Sequence, residues 1–303
     1  MLPPAEYVRD PAEMNRVWSG SESLAYTRWL ATHHYENFHV VSFLLPKRLH
    51  QDFYNVYSFC RWADDLGDEI GDKAESLRLL EWWRTELDAM YAGETRHPVF
   101  TALGGTVARY GIPKQPFADL IRAFVQDQTV PRYDTWEGVL DYCVYSANPV
   151  GRLVLYLCGY GDAERQRLSD RTCTALQLAN FWQDVTVDLL KDRVYIPLEV
   201  LARNNYTVEQ LFAREMNGNF RQVMIEIVER ARELFLEGLP LAGMVDRRLA
   251  IDLDLFSRGG MHVLKKIEQQ NYDVLGRRPA ISKLERVGLL LASVARMTLG
   301  RAA

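Results

Sequence analysis

Long hydrophobic runs are missing from this chain of 303 residues: the longest, Val287 to Ala295, falls far short of the about 20 residues a bilayer-spanning helix needs. The N-terminus, "MLPPAEYVRDPAEMNR", has no basic stretch leading into an apolar one, so no secretory leader is read there. Cysteine is scarce as well. Cys60, Cys143, Cys158 and Cys173 stand singly in apolar or aromatic surroundings, which excludes a disulfide scaffold and reads as buried thiols in a reducing, cytoplasmic setting. The six histidines include the adjacent His33 and His34 but no H-E-x-x-H, so a zinc site is not expected. An excess of positive charge is also absent. The net charge is -4 and no basic arm occurs, so no nucleic-acid partner is expected. The glycine pairs Gly104-Gly105 and Gly259-Gly260 neither fit a P-loop nor follow a strand as G-x-G-x-x-G must. They read as helix-packing glycines, and no nicotinamide cofactor is expected.

Alternating β-branched runs are scarce too, and helical spacing dominates. Candidate helices cover 21–33, 38–46, 48–70, 73–92, 96–110, 115–127, 135–146, 150–159, 163–189, 197–202, 207–214, 219–237, 241–272 and 280–300. The breaks between them carry turn chemistry, such as "YGIPKQP", "SANPVG" and "GRRP", but none is long or polar enough for an interdomain linker. With 48% hydrophobic residues the chain has ample material for a core, and the expectation is one all-α domain over 1–303.

What the chain does have is crowded acid. "RWADDLGDEIGD" places Asp64, Asp65, Asp68, Glu69 and Asp72 within nine positions, directly after the aromatic run "FYNVYSFC". On a helix Asp64 and Asp68 share a face, and like-charge pairs four residues apart cost about 0.2–0.5 kcal/mol each. Solvent and neighbouring arginines are one compensation. Mg²⁺ is the other, because it takes oxygen ligands from one or two carboxylates and completes its shell with substrate phosphates. A second segment, "LQLANFWQDVTVDLLKDRVYIP", repeats the design: Gln177, Asn180, Asp184 and Asp188 form one polar stripe on a helix whose remaining surface is largely apolar. In the first helix Tyr54, Tyr57, Arg61, Asp64 or Asp65, and Asp68 form the stripe. Two acidic stripes set on apolar helices need cations, since unpaired buried charge is costly, and two such helices facing each other make a magnesium cage for a polyphosphate. A third segment, "DYCVYSANPVGRLVLYLCGYG", reads as an apolar helix kinked at Asn148-Pro149, where Ser146 and Gly151 leave room for a ligand.

Together "YSFCRWADDLGDE", "YCVYSANPVG" and the second acidic segment resemble the squalene/phytoene synthase family, in order and along nearly the whole chain. The resemblance implies an all-α isoprenoid-synthase helical fold with a central cavity, Mg²⁺ as cofactor and a prenyl diphosphate substrate. It implies that Asp64, Asp65 and Asp68 are the first metal-binding cluster and Asp184 and Asp188 the second. Gln177 and Asn180 match the polar pair upstream of the second motif, and Arg61 matches a diphosphate-contacting arginine. Within the family "HHYENFHVVSFLLPKRLH" looks most like the hydroxysqualene synthases of bacterial hopanoid formation, which take presqualene diphosphate and trap the final cation with water. The second motif departs from the common D-V-G-E-D at Thr186 and Val187, keeping both outer aspartates.

On that reading Lys47, Arg48 and Arg193 add positive charge near the diphosphate, while Phe38, Tyr57, Tyr142 and Tyr145 offer aromatic faces to the carbocation. His34, Tyr35, Glu36 and Asn37 are the polar groups that interrupt an aromatic and apolar region, suited either to position water or to begin a helix. The terminal helix carries leucines with Lys283, Arg286, Arg296 and Arg301; closing the domain is one role for it, and lying peripherally on the inner face of an anionic membrane is the other. The alternatives are head-to-head condensation of two prenyl diphosphates and a non-catalytic lipid-binding subunit. A pairing with a presqualene diphosphate synthase follows from the first reading.

Overall fold

Helices begin where a short polar side chain can take up the first free amides. Asp72 accepts from the Glu75 amide at 2.8 Å, Thr135 from Gly138 at 3.2 Å and Asp246 from Arg248 at 2.9 Å. The computed structural model describes residues 1–33 and 46–299. Among these residues the protein is all-α, with a single isolated parallel bridge between Arg132 and Val194. The predicted helix at 38–46 lies outside the described residues apart from its last position.

The chain gathers into two compact units, Met1–Thr129 with Arg152–Gly161, and Val130–Gly151 with Asp162–Ala303. In the first, the helices Gly20–His33, His50–Asp68, Lys73–Tyr91, Pro98–Tyr110 and Gln115–Thr129 surround an aromatic core. Trp62 stacks on Trp83 with centroids 4.9 Å apart, Phe59 meets Phe117 edge-on at 4.8 Å, and His97 stands edge-on to Trp62 at 4.3 Å. Burial pushes the His97 imidazole well below its ordinary pKa, so it packs there as a neutral ring. Asp52 is buried, and its charge is fully paired: Thr106 Oγ1 donates at 2.8 Å, Arg109 Nη1 at 2.9 Å and Tyr110 OH at 2.9 Å. These bonds fix His50–Asp68 against Pro98–Tyr110 and hence set the direction in which the first acidic stripe points.

In the second unit the long helix Ala163–Asp188 packs against Gly218–Gly238 and Arg247–Gln269, and Lys283–Leu299 lies along the last of these. Gly260 serves close approach, since a Cβ there would run into the Phe235 ring. The packing role read for Gly259-Gly260 therefore holds at Gly260, while Gly104 and Gly105 sit inside the helix Pro98–Tyr110. Asn148–Leu157 starts in the second unit, separated from Trp136–Ser146 by a break at Ala147, as the Asn148-Pro149 pair leads one to expect.

Candidate functional site

The first acidic stripe forms as the spacing predicts, and burial sorts its members. Along His50–Asp68, Phe53, Val56, Phe59, Trp62 and Ala63 are buried, leaving Tyr57, Arg61 and Asp64 part-exposed and Asp68 exposed. Asp65 is the exception among the acids: it is 3% exposed. Arg61 answers both neighbours, with Nη2 2.5 Å from Asp65 Oδ1 and Nη1 3.3 Å from Asp64 Oδ2. Burial raises the Asp65 carboxyl to about 6 against the opposing pull of Arg61. Desolvation likewise lifts the Tyr57 phenol, and the Cys60 thiol is pushed up to about 12 by burial and then by the charge of Asp64. Lys47 and Arg48 stand exposed on the 3₁₀ turn Lys47–Leu49 that leads into this helix.

In the second unit Leu178, Ala179, Phe181, Trp182 and Val185 are buried, while Gln177, Asn180, Asp184 and Asp188 keep access to the surface. That is the predicted stripe. Asp184, its side chain 15% exposed, has a partner the sequence did not reveal: Arg278 donates from Nη2 to Oδ2 at 3.1 Å and from Nε to Oδ1. Beyond Asp188 the chain turns so that the Arg193 amide reaches the Asp188 carbonyl at 3.0 Å. Phe181, Asp188, Arg193 and Tyr195 bound a crevice of about 10 Å³, the room of about one water.

The break after Trp136–Ser146 is more occupied than expected. Gly151 does not open space for a ligand, because a Cβ there would meet Ser169 Oγ and Cys173 Sγ of the long helix. Asn148 accepts from Thr174 Oγ1 at 2.9 Å, which pins the break to that helix. Tyr142 is 3% exposed and sits in an aromatic stack with Tyr133, Phe181 and Tyr195, in which Phe181 and Tyr195 lie parallel at 3.7 Å. Its ring supports the wall behind the acidic stripe. Tyr145 is part-exposed, and the Ser146 hydroxyl is buried without a hydrogen-bond partner. His34, Tyr35, Glu36, Asn37 and Phe38 lie outside the described residues.

Among the described residues no three His, Cys, Asp or Glu side chains gather in a metal-holding group. The donor sets do suit Mg²⁺: each stripe offers carboxylate oxygens in i, i+4 relation, with no nitrogen or sulfur ligand, and magnesium characteristically takes the rest of its shell from water and phosphate. The sequence profile of the squalene/phytoene synthase family matches residues 31–285. The chain belongs to that family. Its likeness extends to a phytoene synthase of Thermus thermophilus, 32% identical with 92% of this chain and 93% of that protein covered, and to a hydroxysqualene synthase of Sinorhizobium fredii, 32% identical with 89% and 93% covered. Among solved structures, the squalene synthase HpnC from Alicyclobacillus acidocaldarius superposes with a TM-score of 0.79 at 45% identity, covering 82% of this chain and 94% of that one. As a squalene/phytoene synthase the protein is an enzyme acting on prenyl diphosphates, in a family that is generally dependent on divalent metal.

Proposed function

We propose that the protein converts presqualene diphosphate to hydroxysqualene and inorganic diphosphate. The observation that supports this reading is the likeness to the hydroxysqualene synthase of Sinorhizobium fredii, 32% identical, beside 45% identity with the squalene synthase HpnC; the phytoene synthase of Thermus thermophilus, also 32% identical, supports the condensing activity as the second reading. Asp64, Asp65 and Asp68 supply carboxylates to one share of the metal, and Asp184 and Asp188 to the other. Mg²⁺, when bound, supplies Lewis-acid stabilisation of the leaving diphosphate. Arg61, Lys47, Arg48 and Arg193 add cationic charge to the same group as the carbon–oxygen bond breaks, and Gln177 and Asn180 donate hydrogen bonds to it. The cyclopropylcarbinyl cation left behind rearranges against aromatic faces, of which Tyr57 and Tyr145 are part-exposed and Tyr142 lies behind. One water then adds to the rearranged cation and loses a proton, so that alcohol and diphosphate account for every atom of substrate and water.

His34, Tyr35, Glu36, Asn37 and Phe38 are assigned to this last step, four holding the water and Phe38 shielding the cation. Tyr35→Phe and Glu36→Ala should cut alcohol formation more than substrate consumption; unchanged product ratios would remove the assignment. The substrate implies a supplying enzyme that joins two farnesyl diphosphates head to head. Separate incubations with farnesyl diphosphate and presqualene diphosphate, followed by mass spectrometry, test the whole reading. Turnover of presqualene diphosphate to a C30 alcohol is expected. Phytoene or dehydrosqualene from an allylic diphosphate would instead favour the condensing activity that the phytoene synthase likeness suggests.

A further inference from the structure

We propose that Arg278 is the resident counter-cation of Asp184, and that a divalent ion reaches this carboxylate by displacing the guanidinium into solvent. The inference rests on the reading of Asp184 as a metal ligand.

Three observations carry it. Arg278 engages both carboxylate oxygens, Nη2 to Oδ2 at 3.1 Å and Nε to Oδ1, which takes up the face of Asp184 that a hard cation would use. The pair is also placed to exchange. Asp184 is 15% exposed and needs a compensating charge, whereas the Arg278 side chain is 50% exposed and can regain water when it leaves. A doubly charged ion therefore competes against a half-solvated, singly charged group.

The segment bearing Arg278 is held without the ion pair. It leaves Arg247–Gln269 through Asn271 and Tyr272, two consecutive non-glycine residues in the left-handed region at φ 55° and 63°. From the helix end Gln270 Nε2 donates across that turn to the carbonyls of Asp273 and Arg277, both at 2.8 Å, and Gly276 N donates to Asp273 Oδ1 at 2.7 Å. Val274 and Leu275 are buried, at 0% and 5% exposure. Next to Arg278, Gln183 Nε2 donates to the Pro279 carbonyl at 2.6 Å. The guanidinium can therefore leave Asp184 while the backbone that carries it stays in place.

Mn²⁺ binding to the whole protein, followed by electron paramagnetic resonance of the free ion, reads the competition without turnover. Arg278→Gln should bind Mn²⁺ about fivefold more tightly than wild type, with Arg278→Lys, which keeps the charge on a single-point donor, in between. Asp184→Asn separates the two layers of the argument. If it weakens Mn²⁺ binding while Arg278→Gln leaves affinity at the wild-type value, the displacement is wrong and Asp184 stands as a ligand. If it leaves Mn²⁺ binding unchanged, Asp184 is no ligand and the displacement falls with it.

Discussion

Asp252 makes a pH dependence of stability that can be worked out in advance. It lies in Arg247–Gln269, 1% exposed, with both carboxylate oxygens lacking a hydrogen-bond partner, and burial followed by the charge of Asp246 raises its carboxyl to about 8. In the unfolded chain an aspartate titrates at about 3.9. Between those values the folded state holds the proton and the unfolded state does not, so unfolding releases it and stability falls as pH rises. Below pH 4 both states are protonated and nothing is lost; above pH 8 the full penalty is present. Each pH unit inside the window costs about 1.4 kcal/mol, so about 3 kcal/mol is lost between pH 5 and pH 7. Asp252→Asn removes the titration while keeping the side chain's shape. Urea midpoints of wild type and variant at pH 5, 6, 7 and 8 isolate the effect, because His97 and the other titrating groups are common to both. The wild-type midpoint should fall relative to the variant by about 1 M from pH 5 to pH 7. Parallel pH profiles would refute the reasoning.

Asp64→Asn and Asp184→Asn should each lower Mg²⁺-dependent diphosphate release by on the order of 100-fold or more, read by a coupled pyrophosphate assay; full turnover in either contradicts the metal assignment. Among the described residues no helix is long and apolar enough to cross a membrane, yet Lys283–Leu299 presents Leu284, Val287 and Leu291 at 85%, 55% and 63% exposure on one face, beside Lys283 and Arg286. An apolar helix face flanked by basic residues is the kind that lies on an anionic lipid surface. Vesicles containing phosphatidylglycerol should sediment the wild type and leave Leu284→Gln/Leu291→Gln in the supernatant; equal behaviour of the two removes the membrane role.

The helices and both acidic stripes were legible because a 3.6-residue period states which face of a helix is wet, and Asp64, Asp68, Asp184 and Asp188 all keep access to the surface. Burial of Asp65 was not legible, since adjacent aspartates look alike until the Phe59–Trp62 face has been packed. Arg278 was hidden by distance, 94 residues from Asp184, and "GRRP" reads locally as a turn. The small residue at Gly151 was noticed but its use was not, because the atoms that fill the space, on Ser169 and Cys173, come from another helix. The division into two units carries no linker signal either: along the sequence, Arg152–Gly161 of the first unit falls between Val130–Gly151 and Asp162–Ala303 of the second.

The proposed reaction ends with water adding to a carbocation, and oxygen-18 water tests that step most directly. Turnover of presqualene diphosphate in labelled water should give a C30 alcohol carrying one heavy oxygen, in step with diphosphate released. A C30 hydrocarbon, or an alcohol whose oxygen is unlabelled because the diphosphate bridge was retained, would contradict the account.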